Sequence, residues 1–384
     1  MQAQGTSRWY RLNLWLHRWA SLVATLPFLI LCLTGTVLIF HDEIDAALGV
    51  VPTASVEAGT VHAPFAKDIA NVLGKHPDER ALSIGIDPEE HPGILLVVTA
   101  PKADHGFDRA KLRFAHLDTG QPSESGGDAD KTLTGFLLKL HSEWFLGPLG
   151  ELVGALVALL VLVSLLSGLV VYAPHVKRVA LGVLRRGRDA RLRQLDLHNF
   201  VGSIVLGWAF VVTVTGVLLG FGAIAQMVWQ ATELNAVRTR YAGEAVDPEH
   251  PPVDVDRAYA AALAAAPQGW HVISLIFPGT DFSSGRHYSA LVGGDGLDKR
   301  LFRVALVDAA DGSVPVVLQL PWYLKAILLA QPLHFGDYGG LPLKLLWTAC
   351  TWLTLFITGN GAWLWWDRRR KRRRKSGIDE GATE

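Results

Sequence analysis

Apolar residues in this chain gather into four long blocks, running from Leu12 to Phe40, Leu146 to Tyr172, Val201 to Ile224 and Leu341 to Trp366. A helix needs about 20 apolar residues to cross the hydrocarbon of a bilayer, so the pattern predicts four transmembrane helices. Between the blocks lie one short basic link and two long polar connections with a different periodicity. The first, about Asp42 to Leu140, holds a helical run (Pro64 to Leu73) and three strand-like runs, ALSIGI, ILLVVTA and KLRFAHLDTGQ. The second, about Ala225 to Gly340, holds a helical run (Val255 to Ala266) followed by HVISLIF, HYSALVG and LFRVALVDAADGSV.

The same order of elements occurs twice, and so do the residues. LHRWASLVATLPFLILCLTGTVL at Leu16 aligns without a gap on LHNFVGSIVLGWAFVVTVTGVLL at Leu197, setting His17 on His198, Thr34-Gly35 on Thr215-Gly216 and Leu38 on Leu219. LHSEWFLGPLG before the second block echoes LHFGDYGGLP before the fourth, setting His141 on His334 and, with a small gap, Ser167-Gly168 on Thr358-Gly359. Each half therefore reads as span, small α/β module, span. Two halves entering the membrane in one direction imply a pseudo-axis along the membrane normal. The expected fold is a four-helix membrane bundle carrying two α/β modules. Its divisions are span 1–41, module 42–140, span 141–175, basic loop 176–195, span 196–224, module 225–333, span 334–367 and basic tail 368–384.

Composition sharpens the orientation. Of 384 residues 50% are hydrophobic, and 36 basic residues balance 36 acidic ones. The balance hides an asymmetry: Arg8, Arg11 and Arg18 flank block one, Lys177 to Arg193 fill the link, and Arg368 to Lys375 follow block four. Positive charge marks the cytoplasmic side, which puts both termini inside and both modules in the periplasm of a bacterial inner membrane. The first block is too long for a signal peptide and no small-x-small cleavage site follows it, so it is expected to stay as a span. The two cysteines, Cys32 and Cys350, both fall mid-span, and no CxxCH motif for covalent haem attachment occurs.

The histidines carry the candidate chemistry. His17 and His198 stand at one water-facing end of the spans, and His41, His141 and His334 at the other. His17 and His41 are about 36 Å apart along a helix and cannot share a metal. His17 and His198 occupy equal depth in the repeat and can meet across the axis, with Asp196 and Asn199 as nearby partners for their second ring nitrogens. At the outer level symmetry pairs His141 with His334. His41, whose repeat counterpart is Gly222, remains an alternative ligand, and a single-ligand site is a third arrangement. A lone interfacial histidine is ordinarily a headgroup contact; two at matched positions next to charge-free spans point to metal ligation. His175 and most of the eight loop histidines (His62, His76, His91, His105, His116, His250, His271 and His287) are expected at the surface. Most of the 13 tryptophans fit an interfacial belt, while Gly35, Gly168, Gly216 and Gly359 allow close helix approach or clearance for a flat macrocycle.

The L-H-R-W opening of block one, the T-G near its end and the modules ending in an Asp-and-Gly turn resemble the PepSY-associated transmembrane family, most closely its FoxB-type inner-membrane siderophore reductases. The resemblance implies two haem b groups in the bundle, PepSY-like outer modules and reduction of ferric siderophore in the periplasm. No GxGxxG, P-loop or flavin fingerprint occurs, so electrons are expected from a membrane quinol or a cytoplasmic reductase. A non-catalytic PepSY sensor or peptidase regulator has no use for matched histidines at two depths. A transporter fits less well, since no charged residue lies deep in a span.

Overall fold

The computed structural model describes residues 7–52, 64–87, 91–176 and 190–380. Its helices are α1 (Arg8–Leu38), α2 (His41–Ala47), α3 (Phe65–Lys75), α4 (Leu133–Ser142), α5 (Pro148–Val176), α6 (Ala190–Leu219), α7 (Gly222–Trp229), α8 (Asn235–Arg240), α9 (Val255–Ala265), α10 (Leu297–Arg300), α11 (Trp322–Phe335) and α12 (Gly340–Glu380). Its strands are β1 (Glu79–Ile86), β2 (Ile94–Pro101), β3 (Lys111–His116), β4 (Gln121–Gly127), β5 (His271–Ile276), β6 (His287–Gly293), β7 (Arg303–Asp308) and β8 (Val316–Gln319). The chain divides into a helical unit (Met1–Phe40, Leu137–Gly222, Ala330–Glu384) and a sheet unit (His41–Phe136, Ala223–Leu329).

In the helical unit, α1 packs against α5 and α12, and α6 packs against the same two helices, so α1 and α6 face each other across a diagonal. Large apolar side chains such as Val23, Leu26, Leu156, Ile204, Leu345 and Trp352 point outward and are more than half exposed. The interior instead holds small and hydroxyl residues, including Ala20, Ala24, Ser164, Ser167, Thr213, Thr215, Thr351 and Thr354. This inversion suits a solvent of lipid tails, where close packing of small residues replaces hydrophobic exclusion. Four helices are long and apolar enough to cross a membrane, and the protein is a multi-pass membrane protein. The observed helices overlap the four blocks; the ends of α1 and α5 shift by a few residues, whereas α6 already begins at Ala190 and α12 runs on to Glu380, and Pro27 is accommodated inside an unbroken α1. Residues 177–189, which hold Lys177, Arg178, Arg185, Arg186 and Arg188 of the basic link, lie outside the described residues.

The sheet unit departs from the expectation of two separate three-stranded modules. Each half contributes one long helix and four strands, and all eight strands form one antiparallel sheet in the order β4-β3-β2-β1-β5-β6-β7-β8. The seam is the β1–β5 pair, with Ser83 opposite Ile276 and Gly85 opposite Ser274. An unpaired β1 would present a row of free N–H and C=O groups; pairing with β5 removes both exposed edges at once. The halves are tied further by Asp256 of α9, which accepts from the N–H groups of Phe65 (2.6 Å) and Ala66 (3.1 Å) and so caps α3. Pro64, at the cap position of α3, offers no side-chain acceptor. Phe65, Ile69 and Val72 of α3 and Ala258 and Ala262 of α9 cover one continuous core with Ile84, Leu95, Val97, Leu275 and Tyr288. The Tyr288 hydroxyl donates to the Val253 carbonyl at 2.8 Å. A second cluster, Trp229, Leu234, Val304 and Leu320, forms with Tyr323, Leu324 and Leu328 of α11.

Glu79 opens β1 and is only 8% exposed. Burial alone would raise its pKa, yet Arg113, Lys111 and Thr99, which donate to its carboxylate at 2.8, 2.8 and 2.6 Å, hold it down to about 2. A depressed carboxyl pKa adds stability above the unfolded value of 4.5 and loses it as pH falls toward the folded one. Glu79→Gln should therefore lower the stability of the sheet unit at pH 7 by about 2 kcal/mol. In thermal melts the gap between variant and wild type should narrow between pH 4.5 and about 2; a gap that stays constant across that range would contradict this account.

Candidate functional site

Two of the histidine pairs read from the repeat come together. His17 of α1 and His198 of α6 meet across the bundle diagonal with ring centroids 6.5 Å apart and planes at 74°. His141 of α4 and His334 of α11 form a second pair at 6.3 Å and 67°. His141 packs on Gly35, which follows His17 by eighteen positions on α1, about 27 Å of helical rise. The pairs thus occupy two depths.

Each ring is set by one backbone device on a neighbouring helix. His17 Nδ1 lies 2.8 Å from the Ser164 carbonyl and its ring lies against Gly168 of α5. His334 Nδ1 lies 3.0 Å from the Val212 carbonyl and its ring against Gly216 of α6. His141 pairs the Leu31 carbonyl with Gly35 of α1, and His198 sits beside the Ile357 carbonyl and Gly361 of α12. In all four cases the carbonyl belongs to the residue four before the glycine. That carbonyl already accepts the glycine N–H in the helix ladder, and its second lone pair is open to the ring because no side chain projects from the glycine. At His17 and His334 the contact is a hydrogen bond of normal geometry, His141 Nδ1 finds its partner in the Thr34 hydroxyl beside the Leu31 carbonyl, and His198 Nδ1 has no hydrogen-bond partner.

Hydrogen accounting fixes the tautomers. A carbonyl only accepts, so Nδ1 of His17 and of His334 must donate. The hydroxyls of Thr34 and Thr215 spend their hydrogens on helix carbonyls, at 2.9 and 2.8 Å, and so present lone pairs to His141 (2.8 Å) and His334 (3.1 Å). With Nδ1 protonated, a neutral imidazole carries its free lone pair on Nε2, the state a metal requires.

Several expected roles fall elsewhere. The partner of the second ring nitrogen is a helix carbonyl, not Asp196 or Asn199; a backbone group is fixed by the fold at no side-chain entropy. His41 opens α2 in the sheet unit, 43% exposed, with Nε2 3.0 Å from Asp42. Gly359 touches nothing that a side chain would meet, whereas Gly361 occupies the place of Gly168. The spacing could have shown this: His141 to Gly168 and His334 to Gly361 are both 27 positions, and inserting a gap hid the equality. His287, expected at the surface, is only 3% exposed and lies 2.9 Å from Ser284 Oγ in the loop before β6. His62 lies outside the described residues.

The pairs suit a metal held axially. A metal–imidazole bond of about 2 Å, with the ring centre about 1.2 Å beyond the nitrogen, separates two trans rings by about 6.4 Å. Each depth offers two imidazoles, a donor set that could hold a haem iron. Each depth also has an unsatisfied donor beside a ligand: Arg18 Nε follows His17, and Trp144 Nε1 lies three residues after His141, both buried without an acceptor. Haem propionates are acceptors of the kind these groups lack. The turn holding Trp144 is constrained, since Trp144 and Phe145 take left-handed φ of 51° and 58°, a cost of about 1–2 kcal/mol each.

The glycines give a direct test of this packing. A Cβ on Gly168 would lie 2.9 Å from His17 Cε1, while one on Gly359 meets nothing within 4 Å. Gly168→Ala should destabilise the bundle by about 1–3 kcal/mol through overpacking, and Gly359→Ala should be neutral or stabilising. Thermal unfolding in detergent compares them; equal midpoints would remove the assigned role of Gly168.

Residues 14–368 match the PepSY-associated TM region. The chain is also 25% identical over 261 residues to an uncharacterized protein of Pseudomonas aeruginosa, a match covering 61% of this chain and 63% of that relative. With four membrane helices around paired histidines and a family match over nearly its whole length, the chain belongs to the PepSY-associated transmembrane family.

Proposed function

We propose that this protein is an inner-membrane di-haem reductase of FoxB type, which carries electrons across the membrane and reduces ferric siderophore on the periplasmic side. One observation carries the reading: two imidazole pairs at separate depths, with ring centroids 6.5 and 6.3 Å apart, in which Nδ1 of His17 and of His334 is bonded to a backbone carbonyl and Nδ1 of His141 to the Thr34 hydroxyl. His17 and His198 would hold the inner haem, and His141 and His334 the outer one. Bound haem supplies reversible one-electron chemistry.

The chain's own residues do the rest. The carbonyls of Ser164 and Val212 and the hydroxyl of Thr34 hold their imidazoles as Nδ1–H tautomers, so that each Nε2 is a neutral donor. The glycines seat the rings close to the helices, and the apolar bundle keeps water from the ligands. The length of α1 between His17 and Gly35 separates the two depths. Gene duplication accounts for the matching devices: the spacing from histidine to glycine is equal in both halves, and α3 with β1–β4 mirrors α9 with β5–β8 about the seam. Basic residues flanking the spans support an orientation with both termini in the cytoplasm and the sheet in the periplasm. Electrons then enter from a quinol or a cytoplasmic reductase. Each one converts a ferric ion to the ferrous state, which hard oxygen ligands hold less tightly, and iron is released.

Absorption spectra of the protein purified in detergent, with and without dithionite, provide the test. A reducible Soret band and a pyridine-haemochrome count of two haems per chain are expected. His17→Ala or His198→Ala should remove one equivalent and His141→Ala or His334→Ala the other, while His41→Ala keeps both. A colourless preparation from haem-replete cells would sink the proposal.

A further inference from the structure

We propose that Arg80 and Arg238 form a binding site, at one end of the β1–β5 seam, for a polycarboxylate chelate of ferric iron. The anionic character of the ligand stands on Arg80, which no carboxylate pairs among the described residues, with Arg238, whose Nε lacks an acceptor, on the same turn; its iron content rests on the reductase reading above.

Arg80, on β1, is only 4% exposed. Its Nη2 donates to the Pro278 carbonyl at 3.1 Å. Its Nη1 lies 3.2 Å from His105 Nδ1, but that nitrogen is also 2.9 Å from the Gly279 carbonyl. A carbonyl cannot donate, so Nδ1 carries the hydrogen, gives it to Gly279 and has nothing with which to accept from Arg80. The guanidinium has five N–H donors and stays charged in proteins. Among the described residues no carboxylate pairs with it: Glu249 favours its charge from a distance but is bound to Lys102 at 3.4 Å.

Arg238 of α8 reaches the same turn. Its Nη2 donates to the Asp281 carbonyl, three residues after Pro278, and its Nε is buried without an acceptor. The turn is rigid, with Gly279 N–H bonded to the Ser284 carbonyl at 2.8 Å and Ser283 Oγ to the Phe277 carbonyl at 2.7 Å. Phe282 on the turn stacks edge-on against Phe107 at 5.6 Å. The neighbouring carboxylates are partly committed: Asp104 pairs with Arg109, and Asp281 already attracts Arg238.

Holding two carbonyls in place needs only neutral donors. A buried cation without a counter-ion costs several kcal/mol, so a lasting charge at Arg80 signals an anionic partner. Guanidinium groups bind carboxylates through paired N–H donors, and two of them at one turn suit a ligand with several carboxylates.

Equilibrium dialysis of the full-length protein in detergent against radiolabelled ferric citrate, and separately against iron-free citrate, tests the site. Wild type should bind ferric citrate, and Arg238→Gln should weaken binding about ten- to a hundred-fold. Arg80→Lys, which keeps the charge but loses the planar donors, should also weaken it. Equal binding of iron-free citrate would still support the anion site and identify the free polycarboxylate as its ligand. Undiminished binding by Arg238→Gln, or no binding of either citrate form by wild type, would overturn the proposal. Because the readout needs no haem, citrate binding by a colourless protein would reject the reductase reading and leave this site standing.

Discussion

The bond from an imidazole Nδ1 to a carbonyl one helical turn before a glycine is the constraint on which the rest of the bundle depends. Inside a bilayer no water can satisfy a ring nitrogen, and a side-chain acceptor would bring its own desolvation cost. A helix carbonyl has a spare lone pair, and removing the side chain four residues later makes that lone pair reachable. The same contact fixes helix spacing, ring orientation and tautomer together. Position along the helix then becomes depth in the membrane, so the interval between histidine and glycine encodes where each pair sits.

Much of this was legible in the sequence because periodicity and repetition survive translation into structure. The four spans follow from apolar length, and the pairing of His17 with His198 and of His141 with His334 follows from register in the repeat. What escaped notice was backbone chemistry: the carbonyls of Ser164, Leu31, Val212 and Ile357 carry no residue-type signal, so polar side chains such as Asp196 seemed the natural partners. The strands β4 and β8 were missed for a related reason. QPSESGG is polar and contains proline and glycine, and VVLQ is only four residues long; each joins the sheet as an edge strand beside a strongly apolar neighbour.

The β1–β5 seam was beyond reach of sequence because pairing across nearly two hundred residues depends on the whole sheet. Its physical logic is plain once seen. Two separate four-stranded sheets would leave β1, buried along nearly its whole length in the joined sheet, and the half-buried β5 open to solvent and to edge-to-edge association. Joining them replaces those edges by a ladder and brings α3 under the carboxylate of Asp256. It also places the Pro278 turn of one half over Arg80 of the other, so residues that cluster at the seam exist as a group only in the joined sheet.

The two halves match at their paired histidines, and the proposed passage of electrons in one direction would require them to differ. The place where they differ is visible. The residue before the glycine is Ser167, Thr34 and Thr215 at three stations and Asn360 at the fourth. The Asn360 amide is drawn away, donating to the Gln194 side chain at 2.9 Å, and His198 is the one ring whose Nδ1 lacks a hydrogen bond. A hydrogen-bonded imidazole is the more basic donor, so the inner depth joins one firmly held ring to one loosely held ring, while both outer rings are held, His334 by carbonyl and hydroxyl and His141 by the Thr34 hydroxyl. Ligand hydrogen bonding is among the levers that set a haem's potential. A single change beside Gly361 therefore breaks the equivalence that the repeat would otherwise impose on the two depths.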